Sequence, residues 1–278
     1  MNRVKNKQNN KLKYLSGIYV FWMIVFTVIP LLLIIYFSFT TTEGKFTFEN
    51  IKNIGEFTPV FLSSIKLSAI STIICLLLGY PFAYIISKIK ASKQMIFIIF
   101  IMLPMWINFL LRTYAWMTLL ENNGIINKLL SLVGIGPVHM INTQGAVVLG
   151  MVYNFLPYMI IPIFNVITKI DKSCIEAAQD LGANHVRVMT RVIFPLSMPG
   201  IVSGITMVFV PAVSTFIIST MLGGGSNMMI GDLIELQFLG GSYDPNLGSA
   251  LSLVLMVLIL ISMGIMNEFD TGEDVMAL

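Results

Sequence analysis

Charge is scarce in this chain of 278 residues: 11% of its side chains are Asp, Glu, Lys or Arg, against roughly 25% in an average soluble protein. With 56% of the residues hydrophobic, too little polar surface remains to coat a globule, which excludes an ordinary cytosolic domain. Cysteine and histidine are scarcer still. Cys75 lies in an apolar run and Cys174 far downstream, so neither a disulfide framework nor a metal-ligand spacing exists, and the distant His139 and His185 add none. A metal site is not expected. No G-x-x-x-x-G-K-[ST] sequence occurs, and the run Gly223, Gly224, Gly225 lacks the lysine that a phosphate cradle needs. The chain is therefore expected to bind no cofactor, to carry no catalytic residue and to hydrolyse no ATP by itself.

What the sequence does hold is six apolar runs, each near the roughly 20 residues that carry a helix across a bilayer. They are Leu15 to Phe39, Phe61 to Ser87, Met95 to Leu120, Gly145 to Ile167, Met198 to Leu222 and Leu247 to Met266. The first follows a basic flank, as a signal sequence does. It is too long for one and no A-x-A cleavage site follows, so it reads as an uncleaved span. The expected fold is all-α, a six-helix polytopic transmembrane bundle over residues 15–266 with short tails at 1–14 and 267–278.

The basic residues assign a direction. Arg3, Lys5, Lys7, Lys11 and Lys13, then Lys88, Lys90 and Lys93, then Lys169, Lys172, Arg187 and Arg191 all fall on alternate, same-side loops. Only Lys45, Lys52, Lys66, Arg112 and Lys128 lie on the other side, so the positive-inside rule puts both termini in the cytoplasm. Acids weigh little in that rule, so Glu268, Asp270, Glu273 and Asp274 do not oppose it. Apart from the basic tail, fourteen acidic residues outnumber twelve basic ones, which removes the support for nucleic-acid binding.

No Asp or Glu lies inside any of the six runs. Ion-coupled carriers place ionisable groups at the membrane midplane despite the cost, so such a carrier is disfavoured and the work must come from elsewhere. One inward loop, residues 168–195, is longer than a hairpin needs. In it Ser173 and Glu176 fit a capping box, Ile175, Ala178 and Leu181 recur at helical spacing, and Gly182 suits a left-handed helix end. Asn184 can cap a second helix with Val186, Met189 and Ile193 on its apolar face and Arg187 and Arg191 opposite, before Pro195 closes the loop.

The stretch EAAQDLGANHVRVMTRVIFP resembles the EAA loop, E-A-A-x3-G-x9-I-x-L-P, of ATP-binding cassette importer permeases. Glu176, Ala177, Ala178, Gly182 and Pro195 match in identity and spacing, while Val192 and Phe194 replace the motif's isoleucine and leucine. The resemblance implies that this loop is a coupling helix pair docking on a separate ATPase subunit, which uses the ATP. Capping alone also accounts for Glu176 and Gly182 taken singly; the two readings are compatible.

LGYPFAY (Leu78 to Tyr84), LPMWINFLLRTYAW (Leu103 to Trp116), FLPYMIIPIF (Phe155 to Phe164), PLSMPGI (Pro195 to Ile201) and IGDLIELQFL (Ile230 to Leu239) resemble the spermidine/putrescine permeases of the B type. That resemblance implies a subunit of a bacterial inner-membrane importer that moves polyamines into the cytoplasm. Its implied partners are ATPase subunits, a second homologous permease and an extracellular or periplasmic polyamine-binding protein, all in a lipid bilayer.

A flexible polycation calls for aromatic faces and oxygen ligands along its path. Trp106, Leu110 and Tyr114 fall at i, i+4 and i+8 on one face of the third run with Asn108 beside them, and Tyr153 and Asn154 lie midway along the fourth. Asp232 and Glu235, three apart in the helix-like stretch Met228 to Phe238, with Asp244 beyond, suggest an outer vestibule that attracts cations. Interfacial anchoring competes for the aromatics, a helix-packing hydrogen bond for Asn154, and simple solvation for the two acids. Pro81, Pro157, Pro162 and Pro211 interrupt spans and permit kinks. The alternatives are an importer permease for another small ligand such as sulfate or iron, a secondary carrier or channel, and a substrate-free scaffold.

Overall fold

A computed structural model describes residues 17, 19–241 and 243–270. The basic residues Arg3 to Lys13 and the acidic Glu273 and Asp274 lie outside the described residues. Among those described the fold is helical, with one isolated bridge between Thr40 and Phe46. The helices are α1 (Tyr19–Ser38), α2 (Thr58–Lys88), α3 (Ala91–Met102), α4 (Phe109–Leu120), α5 (Ile125–Leu132) and α6 (Gln144–Ile167). There follow α7 (Lys172–Asp180), α8 (His185–Leu196), α9 (Met198–Ser214), α10 (Ile217–Gly223), α11 (Ile230–Leu239) and α12 (Pro245–Asp270).

Four helical segments are long and apolar enough to cross a membrane: Tyr19–Ser38, Glu49–Lys88, Gln144–Ile167 and Pro245–Met266. The number rises to six if each of two bent pairs counts as one span. One pair, Ala91–Trp106 with Phe109–Leu132, turns through 86°, so the expected third span is not straight. Pro104 cannot donate a backbone hydrogen bond and Asn108 caps a new helix, accepting from the N–H groups of Leu110 (2.8 Å) and Leu111 (3.4 Å). The second pair, His185–Leu196 with Met198–Ser214, turns through 63°. The expected fifth span also stops early, because the backbone turns extended at Thr215 before α10 begins.

Two compact units divide the chain: residues up to 57 with 234–256, and residues 58–233 with 257 onward. In the first, the end of α1 is tied down by two amides. Asn50 donates to the carbonyls of Ser38 (3.2 Å) and Thr40 (2.9 Å), and Asn246 to those of Phe37 (3.2 Å) and Thr40 (2.5 Å). Asp244 caps α12 through the N–H groups of Asn246 and Leu247, both at 3.1 Å. The apolar window of α1 itself is not buried by the chain, as suits a helix whose solvent is lipid.

The larger unit is built on α2, α6 and α9. Val147, Met151, Met159 and Ile163 of α6 and Leu67, Cys75 and Ala83 of α2 are fully or almost fully buried, and α9 adds Ile201, Val208 and Ala212. Lipid tails are as apolar as leucine, so close packing rather than water exclusion must hold such helices together. Gly200 and Gly204 provide it: a Cβ at Gly200 would meet the Pro162 carbonyl oxygen at 2.9 Å, and one at Gly204 the Met159 sulfur at 2.8 Å. The predicted interruptions Pro81, Pro157, Pro162 and Pro211 all lie inside helices that continue past them.

Candidate functional site

The segment from α7 to α8 is a helix, a tight turn and a second helix. Asp171, not Ser173, caps α7, its carboxylate accepting from the Ser173 N–H at 3.0 Å. The expected capping box is therefore displaced, because Asp171 offers a stronger acceptor two residues earlier and Ser173 lies within the first turn. That N–H bond holds the Asp171 carboxyl below its ordinary range. Gly182 follows with φ +80°, the left-handed conformation that ends a helix, and Asn184 caps α8 by accepting from the Arg187 N–H at 2.9 Å.

Glu176, Ala177, Gly182 and Pro195 are exposed and Ala178 is half-buried. The expected apolar stripes are only partly buried. Leu181 is 90% and Val186 67% exposed, whereas Val188 and Ile193 are buried. A π-helical turn over Met189–Ile193 rotates the register and brings Val188 rather than Val186 inward. Arg187 and Arg191 stay exposed.

Two tyrosines from the LGYPFAY stretch attach this segment to α2. The Tyr80 hydroxyl shares a hydrogen bond with Ser197 Oγ at 3.1 Å, and its ring lies 5.5 Å from that of Phe194. One turn on, the Tyr84 hydroxyl reaches His185 Nε2 at 3.3 Å, while Lys88 Nζ stands 5.2 Å from the Tyr84 ring. α8 is thus held at both ends by one face of a membrane-spanning helix. Sequence reasoning missed Tyr80, Tyr84, His185 and Ser197, since their partners are 117 and 101 residues away.

The expected path residues are not brought to one face. Trp106 lies before the 86° bend and Tyr114 after it, so the i, i+4, i+8 stripe does not exist as one helix face. Trp106 and Tyr114 are exposed, and Asn108 is a helix cap. Tyr153 packs edge-on against Trp116 at 5.3 Å. It also lines an apolar cavity of about 360 Å3 with Phe82, Phe100, Pro104 and Pro157. Asn154 is buried; its Nδ2 donates to the Gly150 carbonyl at 2.8 Å, and its Oδ1 has no partner among the described residues.

The vestibule expectation is corrected at Asp232. This side chain is 3% exposed, not solvated, and its carboxylate accepts from Ser219 Oγ (2.9 Å), Thr220 Oγ1 (2.6 Å) and the Met229 N–H (2.6 Å). Burial pushes its carboxyl above the ordinary range, against the pull of these donors. It ties α10 to the start of α11, where the Ile230 N–H also donates to Ser64 Oγ at 2.8 Å. Glu235 is half-buried. Arg112, counted with the cations of the outer side, sits inside α4, 8% exposed, 5.7 Å from the Phe109 ring.

The chain matches, over residues 7–272, the family described as the binding-protein-dependent transport system inner membrane component. It is 40% identical over 263 residues to the spermidine/putrescine transport system permease protein PotB of Haemophilus influenzae, covering 90% of this chain and 91% of that protein. With PotB of Escherichia coli it shares 35% identity over 246 residues, 85% of this chain and 89% of the relative. Among solved structures, a bacterial ABC transporter that imports the acidic polysaccharide alginate superposes with a TM-score of 0.81 at 17% identity, covering 98% of this chain and 99% of that one. The inward-facing MetNI methionine ABC transporter gives 0.59 at 15% identity, covering 77% and 94%. The structural likenesses speak for the fold. The chain thus belongs to the family of binding-protein-dependent transport system inner membrane components, multi-pass transporter permeases of the inner membrane and not enzymes.

Proposed function

We propose that this chain is the polyamine-translocating permease subunit of an ATP-binding cassette importer, passing spermidine or putrescine into the cytoplasm. The observation that carries the substrate is the 40% identity to a spermidine/putrescine permease across 90% of the chain. In this reading the permease domain covers residues 15–266 with six spans, the third bent at Asn108 and the fifth formed by α9, with α8 as its cytoplasmic lead-in. Both termini, including tails 1–14 and 267–278, then lie in the cytoplasm. Deleting the gene and following labelled spermidine, putrescine and sulfate separately is the test. Loss of polyamine uptake alone is expected; loss of sulfate uptake alone would favour the alternative substrate.

In this reading the α7–α8 segment is the coupling element. Glu176, Ala177, Ala178, Gly182 and Pro195 form its docking surface for a separate ATPase subunit, which uses the ATP. Small side chains at Ala177 and Ala178 permit close approach, and the exposed Leu181 and Val186 offer apolar area for a partner to cover. The tyrosine contacts give the transmission. A push on α8 is passed to α2 through Ser197 and His185, and from there to α6 and α9, which share its core. The substrate path runs beside α4 and α6, with Tyr114, Tyr153 and Asn154 as its candidates and Trp106 and Asn108 at the bend. Asp232 acts as a structural tie. A second permease completes the pathway, and a polyamine-binding protein outside delivers the substrate.

A further inference from the structure

A cavity of about 550 Å3 opens where α2 ends and α3 begins, beneath the start of α7. Its lining combines two chemistries. Lys88, Lys90 and Lys172 are the charged residues that line it, Lys88 with its ammonium 5.2 Å from the Tyr84 ring. Among the described residues no acidic side chain joins them, while Ile89, Ile167, Ile170, Ile175 and Ile193 supply an apolar wall. None of the three lysines is in an ion pair among the described residues, where the one such pair is Lys45 with Glu43. The acid adjacent to Lys172, Asp171, is engaged as the cap of α7. Gln94 donates to the carbonyls of Ser87 (3.1 Å) and Ile89 (3.0 Å), so these two carbonyls at the end of α2 are already satisfied, and the turn beyond it carries Lys90.

Unneutralised cations gathered over an apolar wall, at the ends of two membrane-spanning helices, match one kind of ligand. We propose that this cavity binds the phosphate headgroup of an anionic phospholipid, with the lysines on the phosphate and the isoleucines against the first acyl carbons. A free phosphate shares the first contact and gains nothing from the second. The ligand touches Lys172 and Ile175 of α7 and Ile193 of α8, so it would brace the α7–α8 segment against α2. Placement in the cytoplasmic leaflet rests on the orientation proposed above; binding itself does not.

The test takes the purified full-length chain into phosphatidylcholine nanodiscs with rising fractions of phosphatidylglycerol and counts retained lipids by native mass spectrometry. Phosphatidylglycerol is expected to be retained saturably, and millimolar inorganic phosphate not to displace it. The triple variant Lys88→Gln, Lys90→Gln, Lys172→Gln should need at least about tenfold more phosphatidylglycerol. Arginine at the same three positions should restore retention. Lys93→Gln, outside the lining, should behave as the unaltered chain. If the triple variant fails to fold, Lys90→Gln alone on the exposed turn should show about a fivefold loss. Equal retention by the glutamine variants, or equal retention of phosphatidylcholine, would overturn the proposal. Displacement by inorganic phosphate would overturn the lipid source in favour of a soluble anion.

Discussion

Gly182 and Gly200 make the difference between the α7–α8 segment and the α6–α9 seam concrete. At Gly182 the backbone is left-handed and nothing lies within 4 Å of where a Cβ would stand. At Gly200 a Cβ would strike the Pro162 carbonyl and the Val166 side chain within about 3 Å of their present positions. The first glycine serves a turn in open surroundings; the second serves contact between two helices inside one chain. The α7–α8 segment takes its shape from local backbone signals and keeps side chains exposed, as the docking role proposed for it requires. The α6–α9 seam takes its shape from packing.

That contrast can be broken from either side. Gly200→Leu should have the largest effect on folding, about 3 kcal/mol from overpacking, read as loss of monodisperse protein in detergent. Asp232→Ala comes next. It leaves the Ser219 and Thr220 hydroxyls and the Met229 N–H without their acceptor, costing about 1–3 kcal/mol in thermal unfolding, whereas Glu235→Gln should cost far less. Gly182→Val should cost about 1–2 kcal/mol for a left-handed β-branched residue, yet cost transport far more than stability. Asn108→Ala, which removes the cap of α4, should cost about 1 kcal/mol.

Acid gives the smallest effect. The folded-state pKa of Asp171 is depressed, so its capping contribution is fully present above the ordinary aspartate range, near pH 4. It is lost as pH falls through the folded value. Loosening at the start of α7 should therefore be confined to strongly acidic pH, and hydrogen exchange of the Ser173 amide reports it. Ser173→Ala should keep that amide's protection at neutral pH, since the backbone N–H bond remains, and should remove only the weaker pull of the Ser173 side chain on the carboxylate.

The same contrast explains what could be read from the sequence. Gly182 and Asn184 carry their own conformational signals within three residues, and the sequence pattern placed both correctly. The capping box slipped by two residues because Ser173 and Asp171 are both good caps and only relative acceptor strength separates them. The break at Asn108 was legible in principle, since Pro104 and a capping Asn stand inside the apolar run. Hydropathy alone ran through them. The burial of Asp232 was not legible, because two of its donors, Ser219 and Thr220, come from a separate helix 13 and 12 residues away. Nor were the tyrosine contacts, which exist only once α2 and α8 are packed.

If α7–α8 transmits ATPase work to the spans, as proposed, the number of spermidine molecules imported per ATP hydrolysed, in vesicles holding the whole importer, depends on the shape of its turn. Gly182→Val is compared with the unaltered chain at equal amounts of assembled complex. Hydrolysis should persist while import per ATP falls at least about tenfold, a loss of coupling near 1.4 kcal/mol. An unchanged ratio in a variant that assembles fully would show that this segment does not carry the coupling.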